Sequence, residues 1–265
     1  MATVNVDVVR VRNGQRVLAS DHAVAEEPLE IRLHKRPFAT IMRTPGLDRE
    51  LAAGFLLSER VLQTSEDLGS IELCRDIENV VEVVLTGRSA ESLDVVLAER
   101  RNVAANSSCG VCGRLSIDAL ASNLPQVAAG FSVDMSTLAG LPDRLRAGQT
   151  VFTVTGGLHA AALFRPDGTL CTAAEDVGRH NAVDKIIGRM VMQEALPLSD
   201  VLLFVSGRTS FEIVQKAWCA GVPLVAAVSA PSSLAIALAR DAGITLVGFV
   251  RDGNFNIYTH PERIV

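Results

Sequence analysis

The sequence lacks any hydrophobic run long enough to span a bilayer; its longest apolar stretches, such as residues 224–228, are far too short. It also lacks a basic n-region at the start. Met1-Ala2-Thr3-Val4-Asn5-Val6-Asp7 alternates apolar and polar residues instead, so no secretory signal is expected. Positive charge is not in excess: 25 Lys and Arg face 30 Asp and Glu, for a net charge of -5. That balance excludes a general attraction to nucleic acid or to an anionic membrane, so any polyanionic ligand must be held by local clusters of Arg and backbone N–H groups. Cysteine is scarce, odd in number and scattered, at Cys74, Cys109, Cys112, Cys171 and Cys219. A structural disulfide framework is therefore not expected, the thiols should be reduced, and the cytoplasm is the natural compartment. Internal repeats and low-complexity tracts are missing too. What is present is an ordinary globular composition: 265 residues, 48% hydrophobic and 21% charged, enough for a large core in one domain or two.

Alternation at Val4, Val6 and Val8 leads to Asn13-Gly14, the pair favoured in type I′ turns, so the chain should open with a hairpin. Residues 29–33 and 38–42 predict further strands. Thr44-Pro45-Gly46 then starts a helix over 47–58, with Asp48 and Glu50 in the first turn, where the helix dipole favours them. A second β pair is expected at 71–74 and 80–86. From 88 to 108 the periodicity fades and the stretch reads as a mobile loop. Residues 115–120 have helical spacing, and 121–141 read as a connector with a short helix. In the second half, 150–155 predicts a strand, 160–164 and 170–173 a hairpin, and 181–193 a helix. Three short apolar strands follow, at 201–205, 224–228 and 245–250, separated by helices at 211–220 and 232–241. This rhythm predicts a parallel sheet covered on both faces. The expected organisation is a β-rich subdomain with one helix over 1–107, a thiol loop with connecting helices over 108–148, and an α/β core over 149–265.

Four features carry chemistry. Cys109-Gly110-Val111-Cys112-Gly113 sets two thiols three residues apart in a glycine-rich segment. A helix starting at Gly113 or Arg114 would aim N–H groups at the sulfurs and favour thiolate. Half a zinc site, a thioredoxin-like redox pair and incidental cysteines remain open as alternatives, although the further zinc ligands and the aromatic strand of a redox motif are missing. The segment 175–185 places Arg179 and His180 at a helix entrance, facing either an anion or only solvent, with Asp176 or Asn181 as candidate caps. The loops Ser206-Gly207-Arg208-Thr209-Ser210, Ser229-Ala230-Pro231-Ser232-Ser233 and Arg251-Asp252-Gly253-Asn254 each follow an apolar strand. Carboxyl-end loops of an open parallel sheet border one crevice, and their small hydroxyl residues, glycines and arginines suit a phosphate-bearing ligand such as a nucleotide. Finally, His159 follows Gly156-Gly157, where a zinc deaminase would carry Glu at 161 and a later Pro-Cys-x-x-Cys; Ala161 stands there and no such pair follows. His159 is thus a ligand contact or a packed histidine.

Together these segments resemble the FdhD family of accessory sulfur carriers for formate dehydrogenase. The resemblance rests on Arg43-Thr44-Pro45-Gly46, residues 108–113, 155–159, 175–185, 206–210, and 248–261 ending in Tyr258-Thr259-His260-Pro261. It covers most of the chain, with residues 88–106 too featureless to compare. It implies an α/β, three-layer cytidine-deaminase-like fold with a mixed sheet, plus a smaller, mostly-β N-terminal subdomain. It also implies a sulfurtransferase-type carrier with a persulfide on Cys109 and Cys112, the main carrier being Cys109. Sulfur would come from a cysteine desulfurase and pass to the molybdenum bis(molybdopterin guanine dinucleotide) cofactor for formate dehydrogenase, with molybdenum or tungsten left open. By the family pattern Phe249-Val250-Arg251-Asp252-Gly253-Asn254 binds that cofactor; Ser206, Gly207, Arg208, His159, Arg179 and His180, singled out above from the residues themselves, are further candidate contacts, and a guanine nucleotide can take the cofactor's place. No resident metal is implied, and such proteins are expected as homodimers. A cofactor chaperone without thiol chemistry, and a deaminase-like hydrolase, are the rival classes.

Overall fold

A computed structural model describes residues 2–101, 125–128 and 130–265. Strands β1 (Thr3–Arg12) and β2 (Gln15–Val24) form a two-stranded antiparallel ribbon. Asn13 and Gly14 join them with φ of 51° and 80°, the two positive values that a type I′ turn demands. Next come β3 (Glu27–Leu33), β4 (Arg36–Arg43), helix α1 (Asp48–Ser58), β5 (Leu68–Leu73) and β6 (Val80–Leu85), the strands forming a sheet in the order β4-β3-β6-β5.

Residues 88–108 depart from the expected loop as far as Arg101, for α2 (Gly87–Glu91) and α3 (Leu93–Arg101) occupy them. Leu93, Val96 and Leu97 are spaced for one helical face and pack on the core, while Val95, 60% exposed, blurs the period in the sequence. The helical spacing at 115–120 lies outside the described residues. The short helix expected before residue 141 is α4 (Met135–Ala147), which runs on through Pro142. Its Leu138, Leu141 and Leu145 are buried on one stripe, and that burial outweighs the hydrogen bond the proline cannot donate.

Residues 150–155 also depart from the expected strand. The β-branched run Thr-Val-Phe-Thr-Val-Thr folds as helix α5 (Thr150–Thr155), not as a strand. The Glu175 carboxylate accepts from the N–H groups of Val151 and Phe152 at 3.0 and 2.9 Å, satisfying the first turn and complementing its dipole. Arg146 stacks over Phe152, and Gly156 closes the helix at φ 67°. Tertiary contacts have overridden a β propensity.

The core sheet has the order β12-β11-β10-β9-β7-β8. The hairpin β7 (His159–Phe164) and β8 (Leu170–Asp176) leads through α6 (Arg179–Met192) to β9 (Leu202–Val205), then α7 (Phe211–Ala220), β10 (Leu224–Ala227), α8 (Ser233–Asp241), β11 (Thr245–Arg251) and β12 (Asn254–Thr259). Only β9, β10 and β11 run parallel; β7 is antiparallel to β9, and β12 to β11, so the sheet is mixed. Alternation divides its residues: Ala161, Leu163, Leu203, Val205 and Val225 meet α1, α6, α7 and α8, whereas Ala162, Phe164, Leu202, Phe204 and Leu224 meet α4 and Ile264. The first of these cores also holds Leu29, Ile31 and Leu51, so the N-terminal part and the sheet share one interior. Among the described residues no helix is long and apolar enough to cross a membrane.

α1 packs on α6 at backbone distance. A Cβ on Gly54 would lie 2.0 Å from the Asp184 carbonyl oxygen, and one on Gly188 would lie 1.8 Å from that of Glu50. Gly54→Ala must therefore push the helices apart, at a cost of about 1–3 kcal/mol. Urea unfolding should show a lower midpoint with the slope unchanged.

Candidate functional site

The polar segment at the start of α6 resolves into two layers. The lower layer is buried. Asp176 is 0% exposed and Lys185 2%, and the Lys185 Nζ lies 2.7 Å from the carboxylate. Asp176 also accepts from Gly178 N–H at 2.8 Å, Asn181 Nδ2 at 2.9 Å and Thr44 N–H at 3.2 Å. Lys185 donates onward to the Thr44 carbonyl at 2.9 Å, and Asn181 to that of Met42 at 2.8 Å. Every member is thus satisfied inside the fold, which makes these residues structural. Neither Asp176 nor Asn181 caps α6, as the sequence suggested; Gly178 is the N-cap and no side chain caps the helix.

The upper layer is Arg179 and His180, beside the carboxyl ends of the parallel strands. Because β7 is antiparallel to β9, with Ala161 opposite Val205, His159 enters at that same end. The Ala160 N–H donates to Ser206 Oγ at 2.9 Å. Gly207 lies against both side chains: a Cβ there would stand 3.2 Å from His159 Nδ1 and 3.7 Å from Arg179 Cδ. The second strand-end loop joins through Thr209, whose N–H donates to the Ala230 carbonyl at 3.2 Å and whose carbonyl accepts from Ser232 at 3.0 Å. The third joins through Phe249, which donates to the Ser229 carbonyl at 3.2 Å. The three loops therefore form one continuous rim, as the strand order predicted.

The rim is cationic, but not through its histidines. Burial, then the Arg179 and Arg208 charges, lower the His159 pKa. Burial, Arg179 and Lys216 push His180 down to about 4, against the pull of Glu212. At neutral pH both rings are uncharged, and the 3.7 Å approach of His180 to Glu212 is a polar contact, not an ion pair. His180 Nε2 also lies 3.1 Å from Ser210 Oγ. The positive charge rests on Arg208, which is exposed, and Arg179, whose Nε is buried and without a hydrogen-bond partner among the described residues. An unpaired guanidinium N–H beside a glycine loop and an uncapped helix start is a place where an anion would be held.

In the segment 249–254 the sites differ residue by residue. Val250 is a correction to the expected set: its side chain is 0% exposed within the core on the α4 side, so it can offer only backbone. Arg251, Asp252, Gly253 and Asn254 are exposed at the tip of the β11–β12 hairpin, where Asp252 and Gly253 take φ of 52° and 75°. Phe249, half-buried, holds φ 57°, which is rare for an aromatic residue and is retained most often at functional positions. The Arg251 guanidinium lies 5.7 Å from its ring centre. A separate cavity of about 250 Å3, lined by Thr44, Gln149, Ala160, Glu175 and Lys185, opens at the β8 edge; it is smaller than the usual small-molecule pocket.

Cys109 and Cys112 lie outside the described residues. Of the described cysteines, Cys74, Cys171 and Cys219 are free thiols, and burial raises the pKa of Cys171 and Cys219 away from reactivity. Among the described residues no three His, Cys, Asp or Glu side chains cluster to hold a metal. Sequence reasoning missed Glu212, which completes the His180–Ser210 corner, because a lone acid in a first helical turn reads as dipole compensation.

A model of the FdhD/NarQ family matches residues 24–265. The chain belongs to the FdhD/NarQ family. Among its relatives in the family is the protein named sulfur carrier protein FdhD of Streptomyces coelicolor, 51% identical over 97% of this chain and 94% of its own length. The like-named protein of Sulfolobus acidocaldarius is 45% identical, over 98% and 97%. A solved structure described as a putative formate dehydrogenase accessory protein from Desulfotalea psychrophila shares the fold, with a TM-score of 0.80 over both full chains at 24% identity.

His180 has a measurable consequence. Its folded pKa of about 4 lies below the ordinary 6.5, so the unfolded chain binds more protons between those values. Its contribution to stability is complete above about pH 6.5 and is lost as the pH falls toward 4. His180→Gln should flatten the decline of the urea midpoint across that window; a slope equal to the parent's would show that His180 is not so perturbed.

Proposed function

We propose that the chain is a sulfur carrier that takes persulfide sulfur from a cysteine desulfurase and delivers it to the molybdenum bis(molybdopterin guanine dinucleotide) cofactor destined for formate dehydrogenase. The observation that carries the cofactor half of this reading is the rim itself. Three strand-end loops meet beside Arg179 and Arg208, with two neutral histidines. A guanine nucleotide end, rich in phosphate and flat in its base, suits that surface. The names of the relatives support the sulfur half. The helix–sheet–helix layering about a mixed sheet is in keeping with a deaminase-like fold.

In this scheme the Cys109 thiolate attacks the outer sulfur of the desulfurase persulfide. The S–S bond breaks, the desulfurase cysteine leaves as thiolate, and Cys109 carries S–SH. With the cofactor held in the rim as substrate, the Cys112 thiolate attacks the inner sulfur of Cys109. That closes a Cys109–Cys112 disulfide and expels the outer sulfur as hydrosulfide, the form in which it becomes a sulfido ligand. A cellular dithiol then reduces the disulfide and resets the pair.

The chain incubated with a cysteine desulfurase and cysteine should gain one sulfur on the peptide containing Cys109 and Cys112, read by intact mass spectrometry. Cys109→Ala should abolish it. Full support of formate dehydrogenase by the Cys109→Ala, Cys112→Ala variant would sink the carrier reading and favour a chaperone. Separately, loss of a charge-assisted hydrogen bond is worth about 1.5–3 kcal/mol. Arg179→Ala or Arg251→Ala should therefore weaken GDP binding by roughly tenfold or more in calorimetry; unchanged affinity would move the cofactor elsewhere.

A further inference from the structure

Three side chains meet where α6 and α7 begin. His180 is the second residue of α6, Ser210 is the N-cap of α7, and Glu212 lies in the first turn of α7. His180 Nε2 stands 3.1 Å from Ser210 Oγ and 3.7 Å from the Glu212 carboxylate. The Ser210 side chain caps no backbone N–H of α7, which leaves the hydroxyl to its side-chain neighbours. Its proton goes to Glu212. Against the upward push of burial, hydrogen bonds from the Ser210 hydroxyl and from Glu212's own N–H hold that acid below its usual range.

A hydroxyl has one proton to give, and an ionised carboxylate has none. With the Ser210 proton spent on Glu212, its oxygen can only accept from His180, so Nε2 carries the imidazole proton. The opposite tautomer would turn the Nε2 lone pair toward the carboxylate and leave Nε2 and Ser210 Oγ as two acceptors facing each other. The ring is uncharged at neutral pH and has a single N–H, so Nδ1 is left with its lone pair. Nδ1 has no hydrogen-bond partner among the described residues, and the side chain is 32% exposed.

We infer that Ser210 and Glu212 fix His180 as a hydrogen-bond acceptor, so that the rim takes a neutral N–H or O–H group of its ligand at Nδ1 and leaves the phosphates to Arg179 and Arg208. The inference rests on the reading of the rim as a nucleotide site. A phosphate without a proton has only lone pairs to offer, and Nδ1 repels it; a sugar hydroxyl or a base N–H is the group that fits. His180 thereby selects for the nucleoside part of the ligand. Ser210 and Glu212 are positioning residues that act through it.

Long-range proton–nitrogen correlation spectra of the full chain with isotope-labelled histidine test this, at a mildly alkaline pH where the GDP phosphates carry no proton. In the free protein His180 Nε2 should report an N–H and Nδ1 a bare, pyridine-type nitrogen. Saturating GDP should move Nδ1 upfield, the sign of an accepted hydrogen bond, without protonating it. Loss of that shift with 2′,3′-dideoxy-GDP would place the donor on the sugar, and its persistence would place it on the base. Ser210→Ala and Glu212→Gln should each mix the tautomers and weaken GDP binding roughly fivefold in calorimetry, the worth of one neutral hydrogen bond. Ser210→Thr, which keeps the hydroxyl, should retain the parent's tautomer and affinity. An Nδ1–H tautomer in the parent, GDP binding that leaves Nδ1 unmoved, or a Ser210→Ala variant with the parent's tautomer and affinity would each overturn the inference and leave the nucleotide reading standing. A parent that binds no GDP at all would sink the rim as a nucleotide site, and this inference with it.

Discussion

Asp176 is the constraint on which the rest of the structure depends. A carboxylate with no water contact must be satisfied by the protein, and here its partners come from the Thr44 loop and from both the N-cap and the body of α6, through Gly178 and Lys185. Breaking such a buried pair by removing one member costs about 3–5 kcal/mol. The geometry left to the chain is narrow. β8 must end at Asp176, α6 must start at Arg179, and the loop before α1 must lie over both. The glycine contact between α1 and α6 then allows the N-terminal part to close on the sheet without a gap.

That anchoring sets the chemistry one layer above it. With α6 fixed, Arg179 and His180 are presented beside the ends of β9 and β10, and His159 enters from β7 because that strand runs the other way. The site is then tuned by exclusion. Burial and neighbouring guanidinium groups keep both histidines neutral, so positive charge is confined to the arginines, which can grip an anion with directed N–H groups. The same buried polar chemistry recurs where Asp184 binds Lys216 at 2.7 Å and Ser58 at 2.9 Å, tying α6 to α7 and α1.

Much of this was legible beforehand. Asn13-Gly14 announced its turn, and the three apolar strands with intervening helices announced the parallel centre of the sheet, because short-range turn chemistry and strand burial leave direct marks on composition. The arginines and serines of the strand-end loops were recognisable for the same reason. The segment 150–155 was not, since its helix depends on a carboxylate of Glu175 more than twenty residues away. The N-terminal edge of α6 was misread for a related reason: Asp176 and Asn181 looked like caps, and only the approach of Thr44 turned them into a buried network. Val250 shares a segment with Arg251 but points into the core, a difference set by strand alternation at a hairpin whose register the sequence does not display.

The sequence by itself determined the kind of chemistry to expect: paired thiols at Cys109 and Cys112, phosphate-suited loops, no zinc ligands at His159, and a motif set matching one family. Local spacing and residue type suffice for that. Tertiary structure alone decided which charges are spent inside and which face outward. Asp176 and Lys185 neutralise each other below the rim, while Arg179, nine positions after the start of β8 in the same polar run, keeps a free N–H above it. The division follows from burial, which belongs to the folded chain and has no counterpart in the order of residues.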